Sequence, residues 1–136
     1  SKSKKDVSSR DGMERCVKTS TYFKEWVEQS EIDFENMKKY LQDNDFEKVG
    51  KLTEENALRM HKTTETSNPP FSYFLQQTYE AMEFVKNLRE KNNEKFYYTM
   101  DAGPNVKVLC LEEDLERLAG IFSEKYEIIM SKTVEL

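Results

Sequence analysis

Histidine and cysteine are nearly missing from this chain: there is one histidine, His61, and two cysteines, Cys16 and Cys110, far apart. A structural zinc site normally takes four such ligands, so that class is excluded on count. Two distant thiols with no CxxC pair point to a reducing setting, the cytoplasm, rather than a disulfide framework. Long apolar runs are absent too. Nothing approaches the length of a membrane span, and with no apolar leader visible secretion finds no support, although an N-terminal truncation would hide one. Basic residues are outnumbered, 21 Lys and Arg against 26 Asp and Glu, for a net charge of −5. Binding a phosphate backbone requires clustered Lys and Arg, which argues against nucleic acid as a partner. The one basic run, Lys2 with Lys4 and Lys5, reads as a solvated tail.

What is present suits a single ordered domain. The 136 residues are 37% hydrophobic and 12% aromatic, enough for one core, and 35% charged, so helices with charged outer faces are expected. Asp11 is the expected cap of a short helix from Gly12 to Lys18. Phe23, Trp26 and Val27 mark a second helix near 22–29, and Phe34, Met37 and Leu41 a third over 32–42. Asp43-Asn44-Asp45 is a turn and cap signal before a helix over 46–64. One stripe of that helix, Val49, Leu52, Asn56 and Met60 with Arg59 and Thr63 beside it, is read as beginning apolar and ending polar. It either leaves the core for solvent or lines a polar cleft. Asn68-Pro69-Pro70 ends the helix, because proline lacks the N–H and restricts its predecessor. Phe74, Thr78, Ala81, Met82, Val85 and Leu88 then define the core face of a helix over 73–91.

Beyond it the period changes from helical to alternating. Residues 95–100 and 106–110 read as two strands of an antiparallel hairpin. The connection, Asp101-Ala102-Gly103-Pro104-Asn105, is expected to turn tightly, with Gly103 able to take positive φ. A helix over 111–122 carries Glu112, Glu113 and Asp114 in its first turn, where negative charge suits the dipole. Tyr126 to Met130 reads as a further strand and Thr133 to Leu136 as an extension of the sheet. The fold class is α+β, a small antiparallel sheet with helices packed on one face.

Three segments, in order, resemble one family. They are Val7-Ser8-Ser9-Arg10-Asp11-Gly12-Met13; Leu58-Arg59-Met60-His61 followed by Asn68-Pro69-Pro70-Phe71; and Tyr98-Thr99-Met100-Asp101-Ala102-Gly103-Pro104-Asn105-Val106-Lys107-Val108. Together they are similar to bacterial diphosphomevalonate decarboxylases, a branch of the kinase superfamily that also holds galactokinase, homoserine kinase and mevalonate kinase. The similarity runs over essentially the whole chain. It implies a ferredoxin-like C-terminal domain spanning residues 1–136 and a nucleotide-binding N-terminal domain elsewhere. The four glycines, Gly12, Gly50, Gly103 and Gly120, are scattered and form no phosphate-cradling loop.

The reaction implied is ATP-dependent: 5-diphosphomevalonate becomes isopentenyl diphosphate in the mevalonate pathway of isoprenoid biosynthesis. The resemblance assigns Asp101 as the catalytic carboxylate, where residues alone would suggest a turn-former bonding its own backbone. It assigns Ser9 and Arg10 to substrate binding, where residues alone would suggest a leader and a helix cap. Asn56, Arg59 and His61 are weaker candidates, a lone histidine being more often structural. ATP and Mg²⁺ are implied, held mainly by the N-terminal domain, with no metal ligands assigned here. A homodimer is the implied assembly, and the fragment alone is expected to be inactive. The rival readings are a non-catalytic α+β binding module and a sibling kinase that phosphorylates without decarboxylating.

Overall fold

The computed structural model describes residues 7–131, so the expectations for the Lys2–Lys5 tail and for Thr133–Leu136 lie outside the described residues. Four helices come first: α1 (Ser9–Thr19), α2 (Phe23–Gln42), α3 (Phe46–Glu65) and α4 (Gln76–Asn92). A hairpin of β1 (Tyr97–Met100) and β2 (Val106–Leu109) follows, then a 3₁₀ turn (Glu112–Asp114) and α5 (Leu115–Ser123). The strands are antiparallel, with Tyr97 opposite Leu109 and Met100 opposite Val106. The α+β expectation holds, with five helices and a two-stranded antiparallel sheet among the described residues; the helices do not keep to one face, since α4 and α5 pack on one side of β1 and α3 on the other.

Several boundaries differ from the sequence expectation. The cap of α1 is Ser8, not Asp11: the Ser8 hydroxyl accepts from the Asp11 amide at 3.1 Å. The two short helices expected over 22–42 are one, because nothing between Phe23 and Gln42 breaks the ladder, neither proline nor glycine. Asp45 caps α3 by accepting from the Lys48 amide, after Asn44 takes the left-handed conformation. The α4 helix begins at Gln76, three residues later than expected. The Asn68–Pro69 peptide is cis, and residues 71–75 form no regular element before Thr78 Oγ1 accepts from the Leu75 amide at 3.0 Å. No strand forms over 126–130: a strand needs an edge to pair with, and among the described residues none pairs with this segment. Tyr126 instead stacks on Phe122.

The core lies between the inner face of the hairpin and α4 with α5. Phe96, Tyr98 and Met100 project from β1 and its approach into a cluster with Val85, Leu118, Phe122 and Ala57. Phe96 and Val85 are fully buried, each worth about 1.5–3 kcal/mol in hydrophobic transfer. The other face of β1 carries Tyr97 onto α3. There a Cβ on Gly50 would stand 2.3 Å from the Tyr97 ring, so only glycine permits this approach.

The edge of β1 away from β2 is closed by a side chain rather than a strand. The Tyr98 amide donates to Glu54 Oε2 at 3.0 Å. Arg89 holds the same carboxylate with two bonds of 2.8 Å and donates to the Phe96 carbonyl as well. One buried ion pair thus joins α3, α4 and β1.

Candidate active site

Asp101 is the first residue beyond β1, where the ladder ends and the chain turns back. Its carboxylate is exposed and meets Lys107 Nζ at 2.9 Å. The Gly103 amide donates to the Asp101 carbonyl at 2.8 Å, which closes the turn without positive φ at any glycine. The expectation of a left-handed Gly103 is therefore corrected: a three-residue closure needs none. Thr78, buried in the first turn of α4, donates to the Pro104 carbonyl at 2.7 Å and anchors the far side of the turn. A rigid hairpin and a helix start together aim the Asp101 carboxylate outward.

Behind this turn lies His61. It is 2% exposed, its ring 4.1 Å from that of Phe74 and edge-on to Tyr73 at 6.2 Å. Burial pushes the imidazole down to about 4, against the opposing pull of the Asp101 backbone and of its negative charge. His61 is therefore neutral at physiological pH and sits beside Asp101.

Tyr73 continues the connection toward the N-terminus. Its hydroxyl donates to the Ser8 carbonyl at 3.2 Å. Burial raises its pKa, helped by Cys16 and Asp11 and opposed by Arg15, so the phenol keeps its proton. Gly12 makes the contact possible, because a Cβ there would fall 2.1 Å from the Tyr73 hydroxyl. Arg15 secures the same junction, over the Phe71 ring at 4.8 Å and donating to the Pro69 carbonyl. Ser9 and Arg10 follow Ser8 as the first two residues of α1, both exposed. A positive side chain in a first turn opposes the helix dipole, so local stability does not explain Arg10.

The structure thus brings the three sequence segments together: Ser8 to Tyr73, Tyr73 to His61, His61 to Asp101. It takes Asn56 and Arg59 elsewhere. Both donate to the Asp33 carboxylate, which also accepts from Gln29, and they cross-link α2 to α3. Burial alone would raise the pKa of Asp33; the bonds from Asn56, Gln29 and Arg59 outweigh it and lower the value. The polar end of the α3 stripe faces neither solvent nor a cleft but another helix. Sequence reasoning missed Tyr73, read as a helix start, and the anchoring role of Thr78. A threonine on an otherwise apolar stripe was the available signal for the latter.

Among the described residues no group of three or more His, Cys, Asp or Glu side chains could hold a metal ion. No helix among them is long and apolar enough to cross a membrane.

Known proteins share the sequence and fold of this chain. The mevalonate pyrophosphate decarboxylase of Streptococcus pyogenes superposes with a TM-score of 0.96 at 58% identity, covering 100% of this chain and 43% of that one. The mevalonate diphosphate decarboxylase of Enterococcus faecalis, solved in a study of mevalonate diphosphate mediated ATP binding, gives a TM-score of 0.83 at 41% identity, covering 88% and 37%. The diphosphomevalonate decarboxylase of Saccharomyces cerevisiae is 34% identical over 117 residues, 85% of this chain and 30% of the yeast protein. The chain thus spans about a third of the length of the curated relatives it matches. A family model, the mevalonate 5-diphosphate decarboxylase C-terminal domain, matches residues 1–135. Sequence and fold agree: this chain belongs to the mevalonate 5-diphosphate decarboxylase C-terminal domain family.

Proposed function

We propose that this chain is the C-terminal domain of a diphosphomevalonate decarboxylase, and that the enzyme carrying it converts 5-diphosphomevalonate and ATP to isopentenyl diphosphate, ADP, phosphate and carbon dioxide. The observation that carries the reading is the convergence of residues 8, 73, 61 and 101, distant in sequence, behind one exposed carboxylate.

The tertiary 3-hydroxyl of the substrate is a weak nucleophile. Asp101 accepts its proton, or orients it, as the oxygen attacks the γ-phosphorus and ADP leaves. The carbon–oxygen bond to the new phosphate then breaks as the carboxylate carbon–carbon bond breaks. The freed electron pair forms the double bond, and phosphate and carbon dioxide depart. Lys107, 2.9 Å from the carboxylate and itself exposed, holds Asp101 on its solvent side and is free to swing away. Ser9 and Arg10 take an anionic group of the substrate. The N-terminus of α1 favours negative charge there, and the Arg10 guanidinium provides planar donors.

ATP and Mg²⁺, which the family resemblance implies, are assigned to the remainder of the enzyme, and no step is routed through the metal. Free thiols at Cys16 and Cys110 support a cytoplasmic setting. Exposed apolar side chains on α2, Ile32 and Phe34 among them, leave apolar surface that a homodimer contact could cover.

The test is release of ADP and carbon dioxide by the longer enzyme, given ATP, Mg²⁺ and 5-diphosphomevalonate, with Asp101→Asn alongside. Coupled release is expected, with kcat about 10²–10⁴-fold lower in the variant. ADP release with a phosphorylated substrate accumulating and no carbon dioxide would mark a sibling kinase instead.

A further inference from the structure

We infer that His61 is a positioning residue for the proposed reaction: its imidazole braces the backbone turn that aims the Asp101 carboxylate. The inference rests on the decarboxylase reading above, with Asp101 as the base.

His61 is the least expected member of the interior. It is 2% exposed, and neither Nδ1 nor Nε2 makes a well-formed hydrogen bond, the Asp101 backbone being the polar group near enough to act on the ring. Unmet polar atoms in a core are rare and destabilising. A phenylalanine would make the same contacts with the Phe74 and Tyr73 rings without that penalty. What imidazole adds is a donor and an acceptor, and the polar neighbour that acts on it is Asp101, through backbone and charge. Hydrogen bonds that support catalysis are often long in an unliganded protein and tighten when substrate seats. The His61 nitrogens stand in that relation to the turn.

The charge state fits a brace. Buried and neutral, His61 presents one N–H and one lone pair. It can hold a carbonyl of the turn without drawing the carboxylate inward, as a cation would. Lys107 supplies the outer contact at 2.9 Å and Thr78 the anchor on Pro104. The turn carrying Asp101 is then held from within by Thr78 on Pro104 and by His61 at Asp101. Displacing a reacting group by about 1 Å can lower a rate by about 10²-fold.

The experiment compares His61→Phe and His61→Gln in the longer enzyme, measuring kcat, KM for 5-diphosphomevalonate and Tm. His61→Phe is expected to keep or raise Tm, to leave KM within about threefold, and to lower kcat by about 10–100-fold. His61→Gln restores an N–H and is expected to recover part of kcat. Retention of kcat within about twofold by His61→Phe overturns the inference. So does an equal loss of kcat and Tm in both variants, which marks a packing residue. Should His61→Phe not fold, His61→Leu makes the same comparison against His61→Gln. Loss of turnover in Asp101→Asn with His61→Phe unaffected removes only the brace. Full turnover in Asp101→Asn removes the base assignment on which both rest.

Discussion

A methyl group on Gly12 would fall 2.1 Å from the hydroxyl oxygen of Tyr73. The hydroxyl donates to the Ser8 carbonyl, so this contact fixes the start of α1 against the segment after the prolines. The two side chains of the proposed substrate-binding pair, Ser9 and Arg10, take their position from it.

Gly12→Ala should therefore destabilise, although glycine to alanine inside a helix normally stabilises by about 0.5–1 kcal/mol. Displacing Tyr73 and the Phe71 edge at 3.1 Å should cost about 1–3 kcal/mol. Thermal unfolding gives the sign directly; a stabilised variant would show that Tyr73 moves freely.

Arg89→Met should be far more damaging than loss of a surface ion pair. It leaves the Glu54 carboxylate buried between α3 and β1 with only the Tyr98 amide to satisfy it. Removing one partner of such a pair costs about 3–5 kcal/mol. Urea midpoints of wild type and variant measure it, with loss of the exposed Lys51–Glu47 pair as the comparison, expected to leave the midpoint almost unmoved.

The pH dependence of stability should carry the signature of His61. Its folded value is about 4 against an ordinary 6.5. Between these values the unfolded chain binds a proton that the folded chain does not, so stability rises with pH across this window. It is fully present above about pH 6.5 and falls as pH drops toward 4, by about 3 kcal/mol at most. His61→Phe should flatten that slope in denaturation series between pH 4.5 and 7.5. The lowered Asp33 acts in the same direction but in the more acidic carboxylate range.

Arg10→Ala should separate binding from folding. The side chain is exposed and sits where its charge opposes the α1 dipole, so stability should change by less than about 0.5 kcal/mol or improve slightly. In the longer enzyme KM for 5-diphosphomevalonate should rise about 10–100-fold, with kcat much less affected. Steady-state kinetics decide between this and a bystander role.

The elements readable along the chain were those with local causes. Asp45 and Phe46 placed the start of α3, and the alternation through Tyr98 and Met100 placed the hairpin. The prolines ended α3 near Glu65, as their chemistry requires. Misreadings fell where a distant partner decides. Ser8 rather than Asp11 caps α1, although both residue types suit the position. Residues 126–130 alternate like a strand but find no pairing edge among the described residues.

By itself, the sequence determined the helix and strand periods, the turn at 101–105 and the family resemblance, because each is written in neighbouring residues. Tertiary structure alone decided which polar groups are buried and with whom. Asn56 and Arg59 became braces between helices because Asp33 lies opposite them, and Glu54 became the closure of a sheet edge because Arg89 reaches it. His61 came to stand behind Asp101 because α3 and β1 pack side by side. Burial and partnership depend on contacts between residues 23 to 65 positions apart, and no local pattern encodes which of many polar side chains will meet.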